Sequence, residues 1–218
     1  MKKQLIIFDL DGTLLNTLDD LADSTNIMLK HFNYPARTKE EVRNFVGNGV
    51  AKLIERAIPD GIRNPNFNAC LKMFKEIYPE NMYNKTAPYP EIIDMLNALR
   101  TKGYKIAVVS NKFDLAVKSL CEKYFPNLID FASGENEAAG IKKKPAPDTV
   151  LNVLKFFGLE NSDAIYTGDS EVDIQTAKNC GMECISVTWG FKDKEFLVNN
   201  GAKNIVDSPS QITHFLDD

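Results

Sequence analysis

Two carboxylates one residue apart, Asp9 and Asp11, close the apolar run Leu5-Ile6-Ile7-Phe8 and are followed by Gly12-Thr13. The run is rich in β-branching and reads as a short buried strand. At strand geometry side chains alternate, so both carboxylates point the same way. Like charges in one place repel, and a divalent cation is the obvious means of holding them there. Asp-Gly is also a common hairpin turn. A hairpin needs a second strand after the glycine, however, and the stretch 17–32 has helical spacing instead.

Three further polar clusters follow apolar runs or lead into helices. Ser110-Asn111 closes the run 105–109. A hydroxyl and backbone amides there can donate to an anion, although Ser and Asn are also ordinary at strand-to-helix turns. One lysine of the run Lys142-Lys143-Lys144, ahead of Pro145-Ala146-Pro147-Asp148, can clamp a phosphate as a point charge, although such a run also reads as solvated lysines before a helix start. Gly168-Asp169-Ser170-Glu171-Val172-Asp173 follows the run 164–167. Ser170 with Asp173 forms a helix-capping box, a complete structural account of Asp173 but not of Asp169. Between helical stretches, Gly47-Asn48-Gly49 reads as a turn whose glycines also leave backbone amides able to meet an anion.

These residues need elements to place them. Apolar spacing predicts helices from Thr17 (with Asp20 at the capping-box position), from Thr38 to Phe45 (with Glu41 closing its box), and over 50–57 and 67–78. No convincing strand falls between 16 and 86. From Pro88 the character changes. A helix over 90–102 closed by Gly103 is followed by strands over 105–109, 129–132, 164–167 and 184–188, with helices over 113–124, 147–157 and 171–180 between them. A short edge strand over 204–206 and a helix over 209–216 complete the reading. Strands alternating with helices imply a parallel α/β sheet covered on both faces, with ligands bound beyond the carboxyl ends of the strands.

With these motifs in place, the chain resembles the haloacid dehalogenase superfamily of phosphohydrolases. Asp9-Leu10-Asp11-Gly12-Thr13 matches its first motif, Ser110 its second, Lys144-Pro145-Ala146-Pro147-Asp148 its third and 168–173 its fourth. The resemblance implies a Rossmann-like sheet of strand order 3-2-1-4-5. It also implies a core of residues 1–15 and 87–218 and an inserted helical cap of residues 16–86. By the same resemblance Asp9 is the nucleophile, Asp11 the general acid and then base, and Thr13 orients them. Ser110, Asn111 and Lys144 hold the phosphoryl group. Mg²⁺ is held by Asp9, the backbone carbonyl of Asp11, and Asp169, with Ser170 and Asp173 standing behind. The stretch 45–54 is similar to the substrate-facing loop of phosphoglycolate phosphatases, which would make Gly47, Asn48 and Gly49 substrate-binding. Tyr89-Pro90, Gly103-Tyr104, Ser110-Asn111-Lys112 and Trp189-Gly190-Phe191 extend the likeness to that branch, while Glu91 stands where glycine is usual.

The implied function is a Mg²⁺-dependent phosphatase of small phosphorylated metabolites, 2-phosphoglycolate being the branch's suggestion, acting through an aspartyl-phosphate. A β-phosphoglucomutase-like phosphomutase would share all four motifs. A non-catalytic phosphate binder would gain nothing from the Asp9–Asp11 pair, and a true dehalogenase lacks the second carboxylate. A dinucleotide enzyme is disfavoured because no Gly-x-Gly-x-x-Gly follows the first strand.

Composition narrows the partners. A length of 218 residues suits one good-sized domain or a domain plus insert, and a net charge of -4 offers no basic field for nucleic acid or anionic lipid. The apolar run behind Met1-Lys2-Lys3 is too short for a signal core or membrane span. The four cysteines form no Cys-x-x-Cys pair and read as buried free thiols in a reducing cytoplasm. His31 and His214 are isolated, so no transition-metal ligand set is present. The expectation is a cytoplasmic enzyme for a small phosphate monoester, a monomer or weak homodimer.

Overall fold

The computed structural model describes residues 3–216; Met1 and Lys2 of the Met-Lys-Lys start, and Asp217 and Asp218, lie outside the described residues. The chain forms two compact units, Met1–Leu15 with Pro88–Asp218, and Asn16–Ala87. It passes between them at the two-residue strands Leu15–Asn16 and Ala87–Pro88.

The first unit is built on a six-stranded parallel sheet. Its strands are β1 (Leu5–Phe8), β2 (Lys105–Phe113), β3 (Phe131–Glu135), β4 (Ala164–Gly168), β5 (Glu183–Val187) and β6 (Asn204–Val206). They lie in the order β3-β2-β1-β4-β5-β6. The 3-2-1-4-5 order of the resemblance is therefore present, extended by the predicted edge strand. All four β1 residues are fully buried, as a central strand covered on both faces must be. Beneath one face, Leu5, Ile7, Val109 and Tyr166 pack with Val150, Val153 and Leu154 of the helix Asp148–Phe157. Phe8 pairs with Val108 on one side and Thr167 on the other, so the chain leaves β1 level with the ends of β2 and β4.

Three local expectations change. Strand β2 does not stop before Ser110; it runs on through Asn111 and Lys112, with a register shift against β3 between Val109 and Phe113. No Gly or Pro interrupts that stretch, so nothing forces an early turn. The helix expected from Pro90 begins at Ile92, because Glu91 adopts a left-handed φ of 65°. A side chain there costs roughly 1–2 kcal/mol, the reason glycine is favoured at such a turn. An unforeseen helix, Lys194–Asn199, is capped by Asp193, whose carboxylate accepts from the Phe196 amide at 2.8 Å.

The second unit contains helices Leu18–His31, Lys39–Phe45, Val50–Ala57 and Phe67–Asn81. The Thr38–Glu41 capping box forms as its spacing predicts. The Thr17–Asp20 box does not: Thr17 occupies the N-cap position, but its side chain makes no capping bond. Asp20 is drawn elsewhere. Its carboxylate, 1% exposed, accepts from the Lys85 amide at 3.0 Å, the Thr86 amide at 2.9 Å and the Thr86 hydroxyl at 2.8 Å. It thus ties the far end of the unit to its first helix. Asp20→Ala strands those buried donors and is expected to destabilise this unit by about 2–3 kcal/mol, read as a lowered urea midpoint by circular dichroism. An unchanged midpoint would show that the tie contributes nothing. Among the described residues, no helix is long and apolar enough to cross a membrane.

Candidate active site

The polar residues singled out in the sequence meet at the carboxyl ends of β1, β2 and β4. Asp9 is the first residue past β1, and its amide donates to the Thr167 carbonyl at 2.9 Å, which carries the β1–β4 pairing one residue further. Asp169 is the first residue past β4. Carboxylate oxygens of Asp9, Asp169 and Asp173 come within 4.8 Å of one another, and all three residues are buried. The side chain of Asp11 is not part of this cluster. Although Asp11 is two residues from Asp9, the strand has ended and strict alternation no longer governs the pair.

Small residues make the convergence possible. A Cβ on Gly12 or Gly190 would run into the Asp169 carboxylate, and one on Gly168 into Asp173. Asp169 is gripped from two sides: the Thr13 hydroxyl donates to one oxygen at 3.2 Å and the Phe191 amide to the other at 2.7 Å. The Trp189 indole donates to the Thr13 carbonyl at 2.9 Å, so the segment after β5 braces the loop after β1.

Lys144 is the cation of the cluster. Its ammonium group, 2% exposed, donates to Asp9 at 3.0 Å, Asp173 at 2.7 Å and the Tyr166 hydroxyl at 3.0 Å. Three donors meet three acceptors, which fixes its position. Asn111 holds the lysine's main chain, donating to its carbonyl at 3.0 Å. Asp173 is saturated on both oxygens: one takes Lys144 and the Tyr166 hydroxyl, the other the Ser170 amide and hydroxyl at 3.2 and 2.6 Å. The Ser170–Asp173 capping box and the grip on Lys144 thus share one carboxylate. Ser110 is 5% exposed, and its oxygen accepts from the Lys112 amide at 3.3 Å. A hydroxyl that accepts in this way still carries its own hydrogen to donate.

The electrostatics follow from the burial. Burial pushes the Asp9 carboxyl up to about 7; Lys144 pulls it back, while Asp173 and Asp11 add to the rise. Burial likewise lifts Asp169 well above the usual carboxylate range, helped by Asp173 and Asp9. Burial alone would lower Lys144, but Asp173 and Asp9 hold it well above the ordinary lysine value. One ammonium faces three carboxylates, so the cluster is short of positive charge.

Two residues here have contacts that the sequence does not assign: Lys112, which enters the sequence reading only in the branch likeness, and Tyr166. Lys112 donates to both oxygens of Asp11, each at 3.0 Å, with its side chain 4% exposed. Tyr166 read as an ordinary buried strand residue; its hydroxyl is the third partner of Lys144. The three residues of the 47–49 loop belong to the helical unit. Gly47 and Gly49 take left-handed φ values of 112° and 85°. Arg56 holds the loop, donating to the Phe45 carbonyl and the Asn48 side-chain oxygen, both at 2.8 Å. The four cysteines are unpaired.

The chain as a whole is similar to known proteins. The family model of haloacid dehalogenase-like hydrolases covers residues 6–187. Phosphoglycolate phosphatase 1 of Pseudomonas aeruginosa is 32% identical over 215 residues, spanning 94% of this chain and 76% of the relative. The phosphoglycolate phosphatase of Aquifex aeolicus is 34% identical over 189 residues, 86% of each chain. A crystal structure from Lactobacillus delbrueckii subsp. bulgaricus, named only provisionally as a phosphoglycolate phosphatase, shares 38% identity with a TM-score of 0.94 over 99% of both chains. The chain belongs to the haloacid dehalogenase-like hydrolases. Within that family it is a phosphoric monoester hydrolase of the phosphoglycolate phosphatase-like branch.

Proposed function

We propose that this phosphatase hydrolyses small phosphorylated metabolites, 2-phosphoglycolate among them, through a phosphorylated Asp9. The observation that carries the reading is the position of Asp9: one carboxylate oxygen lies 3.0 Å from the Lys144 ammonium, inside a cluster of two further acids. Phosphate-monoester hydrolysis is among the slowest uncatalysed reactions, and charge on the phosphoryl oxygens is the main obstacle. An oxygen of Asp9 attacks phosphorus; the bond to the leaving oxygen breaks, and that oxygen takes a proton from Asp11. Water then attacks the phosphorus, yields a proton to the Asp11 carboxylate, and the bond to Asp9 breaks, restoring both groups. Ser110 and backbone amides bind and orient the phosphoryl oxygens, and Lys144, whose three N–H groups are taken by Asp9, Asp173 and Tyr166, contributes its positive charge beside them.

Mg²⁺ fits the cluster. The donors are all oxygens, the hard set that this ion takes, and the carboxylates are under-neutralised. Asp9 and Asp169 would hold it, with the backbone carbonyl of Asp11, while Asp173 is already spent on Lys144 and Ser170. Bound there, the ion supplies charge neutralisation to the phosphoryl group. Relatives bearing the phosphoglycolate phosphatase name support the substrate. The unpaired cysteines suit a reducing compartment such as the cytoplasm.

A screen of phosphorylated metabolites, with and without Mg²⁺, tests this by scoring inorganic phosphate and isomerised sugar phosphate together. Free phosphate from 2-phosphoglycolate is the expected result. Isomerisation of a sugar phosphate without net phosphate release would overturn it in favour of a phosphomutase. We also propose that the 47–49 loop contributes to substrate choice, as a helical cap element. Gly49 has a left-handed φ of 85°, which valine resists. Gly49→Val is expected to alter the ranking of substrates by about tenfold in kcat/KM, or about 1.4 kcal/mol. An equal loss on every substrate would count against that role.

A further inference from the structure

Asp11 is the fourth acid of the site yet stands outside the cluster of the other three, and it is held in a buried ion pair. Asp9, Asp169 and Asp173 converge within 4.8 Å of one another. Asp11 instead meets Lys112, which reaches from the last residues of β2 and donates to both carboxylate oxygens at 3.0 Å. The pair is well shielded, with 4% of the Lys112 side chain and 13% of the Asp11 side chain exposed. The site therefore divides its two buried lysines between two tasks. Lys144 is bound to the cluster through Asp9 and Asp173, and Lys112 to the acid that stands apart from it.

We infer that Lys112 is a positioning residue for the reaction, holding the Asp11 carboxylate at the leaving-group side and away from the acid cluster. The inference rests on the reading of Asp11 as general acid and base. Three features make Lys112 suited to the task. It lies near the end of β2, between Val109 and Phe113, which pair with Ser133 and Glu135 of β3, so the strand fixes the backbone on either side of it. Its own amide is tied to the Ser110 oxygen at 3.3 Å, which couples its backbone to a phosphoryl-binding hydroxyl. A two-oxygen contact fixes the rotation of the carboxylate as well as its place, a geometric gain that outweighs the pair's preference for the ionised form, because a misplaced proton donor forfeits much of the rate that general acid catalysis supplies. Removing Lys112 would remove this two-oxygen contact and its charge from Asp11.

Leaving groups of different basicity separate this role from a merely structural one. An alkyl oxygen needs a proton as it departs, whereas p-nitrophenolate leaves readily without one. For Lys112→Met we expect kcat/KM toward 2-phosphoglycolate to fall about 10- to 100-fold, with less than about a threefold fall toward p-nitrophenyl phosphate. Asp11→Asn should show the same selectivity, larger in size. Adding Lys112→Met to Asp11→Asn should cause little further loss, because both act through one group. Equal losses on both substrates for Lys112→Met, or no loss beside a selective Asp11→Asn, would overturn the positioning role. An Asp11→Asn variant with no selectivity would instead overturn the acid assignment on which it rests, and the inference with it. Should Lys112→Met fail to fold by circular dichroism, Lys112→Gln, which keeps a donor and removes the charge, carries the same comparison.

Discussion

Asp9→Asn is expected to abolish phosphate release, with a loss on the order of 10⁴-fold or more, while the protein stays folded and melts no lower than the parent. Activity goes with the nucleophile: an amide oxygen in this place cannot form the acyl phosphate that divides the reaction. The argument for stability comes from burial. The Asp9 carboxyl is pushed up to about 7 because burial disfavours its charge, and Asp173 and Asp11 add to that. A neutral amide of the same shape avoids the penalty. The Lys144 ammonium keeps Asp173 at 2.7 Å and the Tyr166 hydroxyl at 3.0 Å when Asp9 is replaced. Released phosphate and a melting curve, with mass spectrometry verifying the amide, check both halves. Parental activity in the verified Asp9→Asn variant would end the nucleophile assignment; a collapsed melting curve would make Asp9 structural.

The site is unevenly legible in the sequence. The first strand was plain, since four apolar residues flanked by polar ones leave little choice, and the acids after it fell where a parallel sheet binds ligands. Lys144 stood out from Lys142 and Lys143 only through the family motif; its burial and three partners depend on residues scattered over the chain. The roles of Lys112, quoted only as part of the branch likeness, and of Tyr166 are illegible for a physical reason. A lone lysine usually snorkels to solvent, and a tyrosine in an apolar strand usually packs, so neither pattern signals a polar partner. The close approach of Gly190 to the Gly12 carbonyl and Asp169 is equally long-range. Local grammar failed where a tertiary partner competed with it. Asp20 completes the spacing of a capping box with Thr17, yet its carboxylate serves Lys85 and Thr86. Ser110 and Asn111 are turn-formers by type, yet they continue β2.

Chelation at the proposed Mg²⁺ site is expected to have the second large effect, and its pH dependence tests the cluster directly. Dialysis against a chelator should abolish phosphatase activity, and Mg²⁺ should restore it. Without the ion, the stability of the core unit should fall as pH rises. The sign comes from Asp9: its folded value of about 7 lies above the ordinary value of 3.8, so the stability it lends is present below about 4 and is lost as pH climbs through about 7. Asp169, also raised, acts in the same direction. Added Mg²⁺ opposes this loss, because it binds carboxylates that have already given up their protons. Its stabilising effect should therefore be greater at pH 8 than at pH 6, reaching about 2.7 kcal/mol once the ion is at a hundred times its Kd. Melting curves at several pH values, with and without Mg²⁺, give the comparison. In Asp9→Asn the metal-free decline between pH 5 and 8 should be shallower than in the parent, because one of the raised groups is gone. An equal slope in the two proteins would show that Asp9 is not the titrating group, and a Mg²⁺ effect that weakened toward high pH would be incompatible with these carboxylates as its ligands.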